Sequence, residues 1–251
     1  MDKKSQILVV VEGEKTDYKL MEHLLSIYGI NDSHEIVPYR TNIYTLYNEM
    51  FCDGDPYSVD LLQLLKERET NEEQKKIFDR RYSDILLIFD LDPQAPDFSA
   101  DKILEMINFF VESSDMGKLY INYPMVESFY HMKNIPDEDY NSYVVTLDEL
   151  KNHQYKARVA RENRNKDYRK FAVNKQECDS VIWQNIDKAF LISETERLVD
   201  EIENILPDSA RILKAQLKKI EDEDSLSVLC TCAFYIADYN PKFLYNKIHN
   251  T

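Results

Sequence analysis

Two runs of five apolar residues, Ile7-Leu8-Val9-Val10-Val11 and Ile85-Leu86-Leu87-Ile88-Phe89, each end directly on acid: Glu12 after the first, Asp90-Leu91-Asp92 after the second. Unbroken β-rich runs of this length are what strands buried on both faces of a parallel sheet look like. After the first run, Leu20, Met21, Leu24, Leu25 and Tyr28 recur at helical spacing, and Gly29 stands where a left-handed cap belongs. His34–Tyr39 and Lys118–Asn122 predict further strands. A helix carrying Ile103, Met106, Ile107, Phe110 and Val111 precedes the latter, and another starts at about Val126. Strand alternating with helix predicts an α/β fold, a mostly parallel sheet with helices on both faces.

Residues 41 to 81 predict a helical insertion between the two apolar strands, with Lys66–Arg81 as a solvated helix face. Past about residue 140 the character changes. Lys151–Lys175 holds nine Lys or Arg and two acids, a local charge of +7 in a chain of −15. Residues 180 to 248 then show helical patterns such as Leu198, Ile202, Ile205 and Leu213, Leu217, Ile220. The expected division is residues 1–140, a sheet domain with its helical insertion, and residues 141–251, a basic segment with a mainly α-helical C-terminal lobe.

Composition removes several function classes. Four glycines in 251 residues leave no place for a GxGxxG fingerprint or a Walker A loop. A net charge of −15 argues against coating nucleic acid by bulk electrostatics, so any such contact needs a local basic patch. No apolar run approaches the roughly 20 residues of a membrane span, and the first six residues lack a signal-peptide pattern. Four scattered cysteines, Cys52, Cys178, Cys230 and Cys232, are expected to be reduced structural residues, and the expected location is cytoplasmic.

The chemistry gathers at the strand ends. In an open parallel sheet, ligands bind beyond the carboxyl ends of the strands. Asp90 and Asp92 are two apart and in extended chain would point to one face. If the two apolar strands are neighbours, three carboxylates converge, and a hard divalent cation such as Mg²⁺ relieves their repulsion.

Ile7–Val11 with Glu12-Gly13-Glu14-Lys15-Thr16-Asp17 resembles the first motif of the Toprim domain, and Ile85–Phe89 with Asp90-Leu91-Asp92 resembles its second. Asn122-Tyr123-Pro124-Met125-Val126-Glu127-Ser128-Phe129-Tyr130-His131 is similar to the Asn-Pro-x-x-Glu…His stretch of RloB-like and OLD-type stand-alone Toprim nucleases of phage-defence loci. The resemblance covers residues 5 to about 132. It departs from the pattern where Tyr123 separates Asn122 from Pro124, and where Asp17 stands for a glutamate. It implies a Toprim, Rossmann-like fold. It also implies Glu12 as general acid/base, and Glu12, Asp90, Asp92, Glu127 and Asp17 as ligands of Mg²⁺ or Mn²⁺. His131 is expected to be structural.

An acidic metal site cannot recruit a polyanion unaided. The basic segment is the natural recruiter, through Lys156, Arg158, Arg161, Arg164 and Arg169, with Lys15 as a further phosphate contact. Tyr155, Tyr168 and Phe171 are interleaved with these charges as aromatic platforms. The leading expectation is a Mg²⁺-dependent nuclease cleaving DNA or RNA in phage defence, with a nearby-encoded ATPase as partner and an oligomer as an allowed state. The alternative is a non-catalytic Toprim-fold binding or assembly module working with such an ATPase.

Overall fold

The computed structural model describes residues 6–52, 54–114, 116–196 and 206–239. The helical pattern at Leu198, Ile202 and Ile205 lies outside the described residues. The chain forms two compact units. Met1–Phe89 with Asp101–Leu119 is the first, and Asp90–Ala100 with Tyr120–Thr251 is the second.

The first unit begins with β1 (Ile7–Val11), every residue of which is buried. Helix α1 (Thr16–Ile27) follows and turns its Leu20, Met21, Leu24 and Leu25 inward. Gly29 ends it at φ 65°. Strand β2 (His34–Pro38) then pairs parallel with β1 on one side, Val9 opposite Ile36. Strand β3 (Asp84–Asp90) pairs parallel on the other, Val9 opposite Leu86. Flanked on both edges, β1 is central, which is why its sequence has no polar alternation. With β4 (Lys118–Asn122) the sheet order is β2-β1-β3-β4, so the fold is the α/β sheet expected.

Between β2 and β3 run α2 (Ile43–Phe51), α3 (Leu61–Arg68) and the single turn α4 (Glu72–Lys75). Side chains of Asn42, Asp60 and Asn71 cap their starts by accepting backbone N–H groups. The stretch expected as one solvated helix from Lys66 to Arg81 is therefore broken. Helix α3 stops at Arg68, Asn71 starts α4, and turns continue to Arg80. Helix α5 (Ala100–Phe109) buries Ile103, Met106 and Ile107 as its pattern predicts, but it ends before Phe110, which is buried, and Val111, which is exposed rather than part of the apolar face.

One expectation for the second unit needs correction: the helix expected from Val126 is a 3-10 helix, Val126–Tyr130, with all five residues buried and no solvated face. The C-terminal lobe is mainly α-helical as expected, with one short ribbon in which β5 (Val144–Thr146) pairs antiparallel with β6 (Ser225–Ser227). Around that ribbon lie α6 (Leu147–Lys151), α7 (Tyr155–Glu162), α8 (Lys175–Ile192), α9 (Ser209–Glu223) and α10 (Phe234–Tyr239). Residues 90–100 and 120 onward group with the C-terminal elements in the second unit. No helix among the described residues is long and apolar enough to cross a membrane.

Candidate metal centre

Strand β3 ends at Asp90, which is 7% exposed. The next two residues leave the sheet by a fixed route. Leu91 N–H is shared between Asn122 O at 3.0 Å and Pro124 O at 3.1 Å, and Asp92 N–H donates to Pro124 O at 3.2 Å. Asp92 has φ 43°, a left-handed conformation that Asp tolerates better than most residues. The extended geometry that would put Asp90 and Asp92 on one face by simple alternation therefore does not hold. Hydrogen bonds orient the two instead. Asn122 Nδ2 donates to Asp90 Oδ1 at 3.2 Å, and Gln94 Nε2 donates to Asp92 Oδ1 at 2.9 Å.

Glu127 comes from the buried 3-10 turn and is 4% exposed. Its Oε1 meets Lys156 Nζ of α7 at 3.1 Å, while its Oε2 is buried with no hydrogen-bond partner among the described residues. Gln94 Oε1 is buried and unpartnered in the same way. Burial pushes the Asp92 carboxyl above the usual carboxylate range. Gln94 and Lys156 oppose that rise, and the negative Glu127 and Asp97 add to it. Burial works against the Lys156 ammonium, but Glu127, then Asp90 and Asp92, outweigh it and hold its pKa above the lysine norm. Asp90, Asp92 and Glu127 thus share one field, and Lys156 is the cation answering it.

Whether a hard cation suits this site turns on the two unpartnered oxygens. A buried acceptor without a donor costs about 1–3 kcal/mol, and oxygen acceptors are what Mg²⁺ and Mn²⁺ take. Glu127 Oε2 and Gln94 Oε1 supply that chemistry beside Asp90 and Asp92. No group of three His, Cys, Asp or Glu stands already arranged to hold a metal among the described residues. These oxygens are of the type a hard divalent ion takes, and Lys156 stands on Oε1 of Glu127.

The remaining expected ligands, Glu12 and Asp17, belong to the first unit. Glu12 directly follows β1. Its N–H donates to Ile88 O at 3.0 Å, and its carbonyl accepts from Arg40 N–H at 2.9 Å. Gly13 has a steric reason, because a Cβ there would lie 2.6 Å from Asp17 Oδ2. Asp17 is 8% exposed in the first turn of α1, where the helix dipole favours a carboxylate. Lys15 is exposed at the N-cap of α1.

The basic segment is less available than its sequence suggests. Helix α7 ends at Glu162, so Arg164 and Arg169 do not continue the face of Arg158 and Arg161. Arg158 pairs with Glu149 and Glu162, and Arg161 also reaches Glu162. Arg164 pairs with Glu177, Arg169 with Asp167 and Lys175 with Asp179. Lys151, Lys166 and Lys170 are exposed and have no carboxylate partner among the described residues. Tyr155 and Phe171, each 1% exposed, belong to the core and cannot serve as platforms. His131, expected to be structural, lies in the interior. It is fully buried between Tyr155 Oη at 3.2 Å and Glu162 Oε2 at 3.1 Å, and burial pushes it down to about 4.

Gln94 and Asn122 carry site geometry that sequence reading did not assign. Gln94 gives no signal beyond lying two residues after Asp92. Asn122 sits in the motif, but its contact with Asp90 depends on how the chain turns at Leu91. Comparison with protein-family models, curated proteins and solved structures finds no match to this chain.

Proposed function

We propose that the protein is a divalent-metal-dependent nuclease that cleaves phosphodiester bonds in nucleic acid, with Asp90, Asp92 and Glu127 as its metal-binding carboxylates. One observation carries the reading: within a single compact unit, three acidic side chains share a field in which a glutamate oxygen and a glutamine oxygen are buried without donors. Mg²⁺ or Mn²⁺ bound there would polarise a phosphoryl oxygen and lower the pKa of an attacking water. Asn122 holds Asp90 and Gln94 holds Asp92, so these oxygens are oriented before any ligand arrives. Lys156, displaced from Glu127, retains a positive charge suited to a phosphate. Glu12 as general base, Asp17 as a further ligand, the phage-defence setting and an ATPase partner enter through the sequence resemblance alone.

A non-catalytic binding module is the competing reading. It is favoured by the absence, among the described residues, of a ready three-residue metal cluster, and by the Lys156–Glu127 pair already filling part of the site. Incubation of purified protein with single-stranded and duplex DNA and RNA, with Mn²⁺ or with EDTA, separates the two. The nuclease reading requires Mn²⁺-dependent cleavage that is lost in Asp90→Asn and in Glu12→Gln. Metal-independent binding with no cleavage of any substrate supports the module.

A further inference from the structure

We propose that Tyr168 is a stacking platform for an unpaired nucleobase, with Lys166 and Lys170 receiving the phosphates on either side. This rests on the nucleic-acid reading above and names its substrate as single-stranded or looped.

The 3-10 turn Val126–Tyr130 carries both Glu127 and an aromatic residue. Residues three apart eclipse in such a helix, so Glu127 and Tyr130 project from the same side of Val126–Tyr130. Tyr168 lies flat on Tyr130, with ring centroids 4.3 Å apart and planes inclined by 4°. Tyr130 is itself fixed from below, edge-on to Phe129 at 5.3 Å and to Phe171 at 5.8 Å, and is 6% exposed. Tyr168 is partly exposed. It makes no other ring contact among the described residues, and its hydroxyl has no hydrogen-bond partner among them. The pair is a two-ring stack beside the Glu127 carboxylate, with its outer ring uncommitted.

The loop that presents Tyr168 is anchored on both sides. Asn163, buried, donates from Nδ2 to Tyr130 O at 2.8 Å and accepts from Asn165 N–H at 3.0 Å. Arg164 N–H donates to Met132 O at 2.9 Å. Asp167 caps the short turn Tyr168–Lys170 by accepting from Arg169 N–H at 3.1 Å, and Phe171 is buried directly after it. A ring held this way pays little ordering entropy when a ligand stacks on it. Its two neighbours in sequence, Lys166 and Lys170, are exposed and, like Lys151, have no carboxylate partner among the described residues, whereas Arg164 and Arg169 are held by Glu177 and Asp167. An aromatic ring with an exposed lysine two residues before it and another two residues after it has the residue types that hold a base and its neighbouring phosphates. A base already stacked within a duplex cannot use it.

The test is fluorescence anisotropy with short labelled single-stranded RNA, single-stranded DNA and duplex DNA, in EDTA so that nothing is cleaved. Tyr168→Ala should weaken binding of single strands by about ten- to hundredfold. Tyr168→Phe should restore it, and duplex affinity should not change. Lys166→Gln with Lys170→Gln should reduce the slope of log K against log salt by about 1–2. If Tyr168→Ala does not fold, Tyr168→Leu, which keeps bulk on Tyr130 without a π-face, takes its place. RNA and DNA arms that respond alike support a base contact, and a response in one alone assigns that strand as the ligand. Single-strand affinity within twofold of wild type in the Ala or Leu variant overturns the platform while leaving the nuclease reading standing. Wild-type protein that binds none of the three probes overturns both.

Discussion

Asn122 Nδ2 donates to Asp90 Oδ1 at 3.2 Å, and the orientation of that amide is fixed from its other side. Asn122 Oδ1 accepts from Cys232 N–H at 3.2 Å and from the Cys230 thiol at 3.5 Å, so its oxygen cannot be the atom facing Asp90. All of these groups are buried. The turn at Cys230–Cys232 therefore sets which end of the Asn122 amide meets Asp90.

Asn122→Asp replaces that donor with a second carboxylate against Asp90. In EDTA this variant should lose about 1–3 kcal/mol of stability through like-charge repulsion and a lost buried hydrogen bond. Urea denaturation measures it. Stability equal to wild type would show that the contact orients nothing.

Lys156→Met removes the counter-charge from Glu127, Asp90 and Asp92. Without metal the variant should melt lower than wild type. With Mn²⁺ its melting temperature should rise by more than that of wild type, because the ion no longer displaces an ammonium. An equal or smaller rise would mean that Lys156 and the metal do not share Glu127.

His131 makes a pH prediction with a definite sign. Burial, only partly opposed by Glu162 and reinforced by the positive Arg158 and Lys188, lowers its pKa from 6.5 to about 4. Above pH 6.5 both folded and unfolded states hold it neutral. Between 6.5 and 4 only the unfolded state takes up the proton, so stability falls as pH falls, by roughly 3 kcal/mol at most from this group. His131→Gln should flatten the stability profile across that window. An unchanged slope in urea titrations at several pH values would contradict the assignment.

Much of the sheet was legible in the sequence because the burial is total. The runs at β1 and β3 have no polar residue to interrupt them, and their parallel pairing follows from the helices between. The ribbon of β5 and β6 was not legible, since three residues are too few to display a period. The candidate site was half legible. Asp90, Asp92 and Glu127 could be singled out by type and position, but not the left-handed turn at Asp92, which depends on backbone contacts to Pro124 some thirty residues on. The basic segment misled for a related reason. Its charges are cancelled partly by Glu127, Glu149, Glu177 and Asp179, all outside the window in which the excess was counted, and two of its three aromatic residues are core.

Calorimetric titration of the purified protein with Mn²⁺ asks whether Asp90, Asp92 and Glu127 form a divalent-cation site. Wild type should bind the ion and Glu127→Gln should bind it more weakly. The double variant Asp90→Asn/Asp92→Asn should show no binding while remaining folded. Mn²⁺ binding that is unchanged in the double variant would contradict the account.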